Sequence, residues 1–193
     1  MKTIDGHTID ETLLTGGVVI DIGCRGFAFE KEFEKCQVYS IDADESAVPY
    51  KYRYNLQTRK AIFNLAITPN DGTTTYYKLG ESGYTKDIKE FTPEEGIIVE
   101  SMKLNTFYEI NILPFEEVDI LKLDIEGGEY SILADPNFRP LPKQITVEFH
   151  DHVFPELHKE MYPKVLSNLK DLGYDLVYQR PDAPLMDCLF IRR

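Results

Sequence analysis

The stretch from Val118 to Leu133, VDILKLDIEGGEYSIL, restricts the possible folds more than any other part of the chain. Its first half is apolar enough for a buried strand, yet Lys122, Asp124 and Glu126 recur at every second position. In an extended strand those side chains share one face. Strands of a parallel sheet are covered on both faces and read as nearly unbroken apolar runs. Three charges in such a row are costly unless each is paired or faces a cavity. Gly127 and Gly128 then permit a sharp turn into a short helix. A charged strand end followed by a glycine turn is where an open α/β sheet places a ligand.

The chain of 193 residues is long enough for one sizeable core, and a single domain is expected. A formal net charge of -12 disfavours non-specific attachment to nucleic acid or anionic lipid, which needs clustered Lys and Arg. No apolar run approaches the roughly 20 residues of a membrane-spanning helix, and the acidic N-terminus is unlike a signal peptide. Three cysteines without CxxC spacing suggest neither a disulfide framework nor a zinc site. A reduced, cytoplasmic setting is the expectation.

Read in order, residues 1–17 form a short lead-in with a turn of helix around Ile9 to Leu14. Val18 to Ile20 is a β-branched run typical of a buried parallel strand, closing on the glycine turn Asp21 to Gly26 (DIGCRG). Strands follow at Gln37 to Ile41, ending in Asp42 and Asp44, and at Ala61 to Ile67. Residues 73–103 read as an inserted strand–loop–strand region, with a surface loop from Gly80 to Gly96 over the ligand side. Residues 104–113 form a short helix, and Ile145 to Phe149 a strand running into His150 and His152. Leu157, Met161, Val165, Leu169 and Leu172 recur at helical spacing between Pro155 and Gly173. Tyr174 to Gln179 and Cys188 to Arg192 make a final antiparallel pair. Alternating strands and helices imply right-handed crossovers and a mostly parallel sheet with helices on both faces.

The first strand, its glycine turn and the acid ending the second strand form a nucleotide-binding arrangement. The turn brings backbone N–H groups close to a ligand, and Asp42 follows it by about 20 residues, where a carboxylate can accept both ribose hydroxyls. The spacing Gly23-x-x-Gly26 is not the GxGxxG of a dinucleotide site. An NAD-dependent oxidoreductase is therefore disfavoured, the more so with a terminal hairpin.

These segments carry a family resemblance. VVIDIGCRG resembles the first motif of class I S-adenosylmethionine-dependent methyltransferases, and DILKLDIEGGEYSIL resembles the hallmark of the FkbM family within that class. NLAITPNDGTTTYY and ITVEFHDH resemble the segments flanking that hallmark, so the likeness runs from about residue 18 to the C-terminus. It implies a Rossmann-like sheet of seven mostly parallel strands ending in an antiparallel hairpin, and a single S-adenosylmethionine-dependent methyltransferase domain over 1–193. It also implies methyl transfer to a hydroxyl of a small molecule or sugar. Cys24–Arg25 departs from the family's usual alanine and asparagine, and the N-terminal region that covers the site in many relatives is nearly absent. A non-catalytic cofactor- or ligand-binding module on the same fold is the competing reading.

On this reading Gly23 and Gly26 admit the methionine part of the cofactor. Asp21 organises the turn or binds the amino group, Asp42 holds the ribose, and Asn64 and Ala66 lie at the adenine. Asp124 faces the methyl donor or acceptor and, with His150 and Glu126, is a candidate catalytic residue; Asp124 and His150 are the candidate bases. Glu126 and Glu129 either cap the following helix or reach the substrate, and Glu129 is favoured as a cap. Lys122 is expected to pair with Glu148. Glu148, His150 and His152 share one face if the strand stays extended, so a divalent metal is conceivable there but not favoured. His7 and His158 read as surface residues.

Overall fold

The computed structural model describes residues 1–48, 52–79, 82–85, 96–180 and 186–193. Its strands in chain order are β1 (Lys2–Ile4), β2 (His7–Ile9), β3 (Val18–Ile22), β4 (Gln37–Asp42), β5 (Tyr52–Asn55), β6 (Lys60–Asn64), β7 (Ala66–Ile67), β8 (Gly72–Leu79), β9 (Ser82–Thr85), β10 (Ile97–Met102), β11 (Val118–Leu123), β12 (Gln144–Phe149), β13 (Tyr174–Gln179) and β14 (Met186–Arg192). The helices are α1 (Ala28–Glu32), α2 (Leu104–Asn111), α3 (Gly128–Leu133) and α4 (Pro155–Asp171).

Eight strands form one sheet in the order β13-β14-β12-β11-β3-β4-β6-β5. The central run β12-β11-β3-β4-β6 pairs in parallel, while β14 and β5 pair antiparallel with β12 and β6. The sheet is thus mixed α/β, with eight strands where seven were expected. The extra strand follows from the tight turn after it. The Asn55 side chain accepts hydrogen bonds from the backbone of Gln57 and Thr58, and Arg59 takes a left-handed φ of 55°, so the chain folds back onto β6.

The two faces of the sheet are covered unequally. On one face, Val18, Ile20 and Ile22 of β3 and Leu121 and Leu123 of β11 pack against α2, α3 and α4. Helix α4 buries Val165 and Leu169 completely and lays Leu157, Met161 and Leu172 against that core, as its periodicity predicts. Each such fully buried side chain stabilises the fold by about 1.5–3 kcal/mol. Tyr130 and Tyr162 sandwich Phe149, each ring centroid 5.1 Å from it.

The opposite face is covered only by α1 and the β1–β2 hairpin, through Ile4, Ile9, Phe29 and Phe33 over Val19, Val38 and Ile120. The helical turn expected around Ile9 to Leu14 is the single 3-10 turn Glu11–Leu13, and the hairpin before it was not foreseen. Asp5 and Gly6 have φ of 48° and 87°, the paired left-handed geometry of a two-residue hairpin turn. The hairpin is tied down by Gln144, whose amide exchanges two hydrogen bonds with the Asp10 backbone, and by Asp187, which accepts from the Thr8 hydroxyl at 2.9 Å.

A separate four-stranded sheet, β7-β10-β8-β9, lies beside the main one. The single expected strand from Ala61 to Ile67 splits at Leu65, leaving β6 in the main sheet and β7 in the second. Strands β8 and β10 pair antiparallel as expected. Of the loop foreseen between Gly80 and Gly96, residues 82–85 are β9 and residues 80–81 and 86–95 lie outside the described residues. Among the described residues no helix is long and apolar enough to cross a membrane.

The entry to β3 is fixed by Asp119, fully buried on β11. Its carboxylate accepts from the Thr15 and Gly17 backbone and the Thr15 hydroxyl at 2.9 Å each, and pairs with Lys143 at 2.8 Å. Burial alone would raise this carboxyl, but Lys143 and the three donors hold it below the usual carboxylate range. Asp119→Ala strands those donors, and we expect a loss of about 3 kcal/mol in urea denaturation; a change under about 0.5 kcal/mol contradicts this account.

Candidate active site

The chain runs outward from β3 through β4 and β6, then returns to β11 and β12 on the other side of β3. An open α/β sheet binds ligands at such a reversal, beyond the carboxyl ends of the strands. A cleft partly open to solvent lies there. Ile22 and Gly23 form its floor, with Ile41, Asp42 and Ala43 after β4 and Leu65 and Ala66 after β6. Asp124, Ile125 and Glu126 line it from the end of β11, and Tyr76, Tyr84 and Thr85 come from the second sheet.

Gly23 is required by two observations. Its φ is +80°, and a Cβ built there would sit 1.8 Å from the Asp124 carbonyl oxygen. The ends of β3 and β11 therefore approach more closely than any side chain allows. Gly26 also has a left-handed φ, of 81°, but it is exposed and does not line the cleft. Asn64 stands outside the lining too: its amide donates to the Asp42 and Ala43 carbonyls at 3.1 Å each and so shapes the turn that carries Asp42. Ala66 does line the cleft.

Asp42 accepts the Asp44 N–H through Oδ1 at 2.9 Å. Burial raises its carboxyl to about 6, against the opposing pull of that hydrogen bond and of Lys122. Asp44 is committed to structure instead. Its carboxylate pairs with Arg25 at 2.6 Å and Lys78 at 2.8 Å and accepts from the Ser46 backbone and hydroxyl.

Beneath the cleft lies a buried ionic cluster. The register sets Lys122 of β11 beside Asp21 of β3 and Thr146 of β12. The Lys122 ammonium, 6% exposed, stands 3.4 Å from both Asp21 and Asp124. It also donates to the carbonyls of Ile22, at 3.3 Å, and Gly23. The expected pairing with Glu148 is not what forms, because β11 places Asp124, not Lys122, level with Glu148. Burial disfavours the ammonium, but the two carboxylates outweigh it and its pKa is raised. Asp124 answers in kind: burial would raise it, yet Lys122, His7 and His150 hold it well below the usual carboxylate range. Asp21 is buried deeply enough that its carboxyl is raised despite Lys122. It faces this cluster and not the cleft.

His150 does not line the cleft either. Its Nδ1 and backbone nitrogen each lie 3.1 Å from Glu129 Oε1, and its Nε2 lies 3.3 Å from Glu126 and 3.6 Å from Asp124. Burial alone would lower its pKa, but Glu129, then Glu126 and Asp124, raise it to about 9. A ring raised in this way favours the imidazolium form at neutral pH. Glu129, completely buried, also accepts the Gly127 N–H at 2.9 Å, so it fastens the turn before α3 to the end of β12. In that turn Glu126 has a φ of 51°, a left-handed conformation rare for a side chain of its kind. Strain of this sort persists where the surroundings over-determine it, and it clusters at functional sites.

Two histidines expected at the surface lie inside. His158 bonds the Tyr130 hydroxyl at 2.8 Å and stacks on Tyr162. His7, 1% exposed, is carried by the β1–β2 hairpin to within 3.6 Å of Asp124 and 3.8 Å of Glu148.

The profile of the methyltransferase FkbM domain matches residues 23–176, most of the chain. This chain belongs to the FkbM methyltransferase family. The match includes the Asp42, Ala66, Asp124 and Glu126 cleft residues and begins at Gly23. Among solved structures the FkbM chain is similar to a ribosomal protein L11 methylase from Lactobacillus delbrueckii subsp. bulgaricus. The two are 7% identical with a TM-score of 0.42, over 92% of this chain and 70% of that one. No curated protein matches the sequence.

Lys122→Met would leave Asp21 and Asp124 facing each other without their cation. We expect a loss of about 3–5 kcal/mol in chemical denaturation, larger than for Asp21→Asn, which leaves Lys122 its second carboxylate. The reverse order would contradict the central place given to Lys122.

Proposed function

We propose that this FkbM-family domain, acting as one unit over residues 1–193, is an S-adenosylmethionine-dependent methyltransferase with a Rossmann-like class I sheet. Its acceptor would be a hydroxyl of a small molecule or sugar. The observation that carries this reading is the convergence of Gly23, Asp42, Ala66, Asp124 and Glu126 on one cleft at the reversal of the sheet.

The fit to the cofactor rests on two features. Gly23 leaves bare backbone where a side chain would close the cleft. Asp42 presents a half-buried carboxylate, which suits the two hydroxyls of a ribose. Ile41, Leu65 and Ala66 offer the apolar surface an adenine ring needs, and anionic Asp124 favours a positively charged neighbour such as a sulfonium or ammonium group.

When bound, S-adenosylmethionine supplies an electrophilic methyl group. The protein must then align the acceptor and take its proton, since the transfer is an in-line displacement: the oxygen–carbon bond forms as the sulfur–carbon bond breaks. Asp124 is a weak base, because Lys122 holds it so firmly ionised. His150 is already protonated. Glu126 is the remaining candidate; it lines the cleft in a strained backbone, with His150 Nε2 3.3 Å away. Glu126 accepts the hydroxyl proton, and Asp124 and His150 set the field around it.

Two outcomes follow. Titrated calorimetrically, S-adenosylhomocysteine should bind, and its affinity should fall as the pH drops through about 6, where Asp42 protonates, by about tenfold per unit below that. Asp42→Asn should bind weakly and without that pH dependence. Glu126→Gln should keep cofactor affinity within about twofold but lose about 10²–10⁴ in turnover of hydroxyl acceptors. Binding of NAD in place of S-adenosylhomocysteine would overturn the reading. Tight cofactor binding with no methyl release across sugars and polyketides would favour a non-catalytic module.

A further inference from the structure

We propose that His7, Asp124 and Glu148 form a binding site for a divalent first-row metal ion, zinc or manganese, clamping the N-terminal hairpin to the carboxyl ends of β11 and β12. Their ligand atoms lie within 4.8 Å of one another. His7 is buried, with 1% of its surface exposed, and its Nε2 has no hydrogen-bond partner although it points at the two carboxylates.

The spacing is the first argument. The Nε2 nitrogen is 3.6 Å from Asp124 Oδ2 and 3.8 Å from Glu148 Oε2. An N–H···O hydrogen bond needs about 2.7–3.2 Å. Donor atoms bound to one ion at about 2.1 Å lie about 3.0–3.4 Å apart, so the two distances from Nε2 need shorten by only a few tenths of an ångström. The hairpin that carries His7 is joined to the sheet by the Thr8 hydroxyl on Asp187 and the Asp10 backbone on the Gln144 amide.

Electrostatics is the second. The other ring nitrogen, Nδ1, faces the Thr146 hydroxyl at 3.5 Å. Without a cation between them, the Asp124 and Glu148 carboxylates repel. Lys122 does not supply the charge for both acids, since it is shared between Asp21 and Asp124. Among the described residues no Lys or Arg nitrogen lies within 4 Å of the Glu148 carboxylate, and His7 Nε2 lies 3.8 Å from it. One imidazole and two carboxylates suit the borderline ions zinc, manganese and iron(II) better than magnesium or copper(I). The site differs from the grouping suggested by sequence: Glu148 is kept, while His150 is taken by Glu129 and His7 replaces it.

The full-length chain, stripped with a chelator, should take up one equivalent of manganese or zinc when titrated with the chloride salt alone. His7→Ala and Glu148→Gln should each weaken uptake at least tenfold, with circular dichroism confirming that the variants remain folded. In the unmutated chain, manganese should broaden the ring resonances of His7 before those of His152 or His158, a readout that survives if a variant fails to fold. A chain that binds neither metal up to millimolar concentration overturns the proposal. Metal binding that leaves the His7 resonances sharp overturns it as well. Titration of His7→Ala with S-adenosylhomocysteine tests the cofactor reading independently.

Discussion

The arrangement of the cleft depends on one buried cation. Lys122 enters the sheet at its most crowded place, between β3 and β12, and gathers Asp21, Asp124 and the carbonyls of Ile22 and Gly23 around its ammonium. A buried ion pair contributes little net stability compared with a well-packed apolar replacement. Its contribution here is positional. By bonding to the last carbonyls of β3 and the first acid beyond β11, it draws two strand ends together until only glycine fits between them at position 23. Asp124 is thereby fixed as an anion at the edge of the cleft, where a positively charged reactant would lie.

Around this cation the polar groups are divided by face. Side chains of β3, β11 and β12 that point towards α3 and α4 are apolar, and those pointing the other way include, beyond the apolar Val19 and Ile120, the row Asp21, Lys122, Thr146 and Glu148. A parallel sheet normally covers both faces with helices. Here a short hairpin covers the polar row and contributes His7 and Thr8 to it, so the buried charges meet partners in place of an apolar layer. Glu129 performs the corresponding task beyond the strand ends, linking the Gly127 turn to His150 through three hydrogen bonds.

Most of the main sheet was legible from the chain because its central strands are short β-branched runs ending in turn residues, and α4 displays a full apolar stripe. The glycine turn and the acid after β4 identified the right end of the sheet, and Gly23, Asp42, Ala66, Asp124 and Glu126 do meet at the cleft. Lys122 was recognised as a buried partner, but its companion was missed. Pairing depends on register, and the register places Asp21 beside it. His7 was misread for a different reason. Asp5-Gly6 between alternating apolar residues is a strong hairpin signal, yet where a hairpin docks is a tertiary matter that no local pattern contains. Tyr76 and Tyr84 escaped notice because aromatic and Thr residues signal a strand without saying that the strand leaves the main sheet. His150 and Gly26 show the limit in the other direction. Both stand at the right height in the fold, but neither lines the cleft: His150 lies behind Glu126 and Asp124, and Gly26 is exposed.

The split of one expected strand at Leu65 gives the cleft an asymmetric mechanical character. Its floor belongs to the continuous ladder of the main sheet. The wall bearing Tyr76 and Tyr84 belongs to a second ladder, reached through the two-residue strand β7 and its pairing with Ser101 and Met102. The floor and this wall are therefore held by separate hydrogen-bond ladders that meet at Leu65, and a substitution that loosens one ladder need not loosen the other.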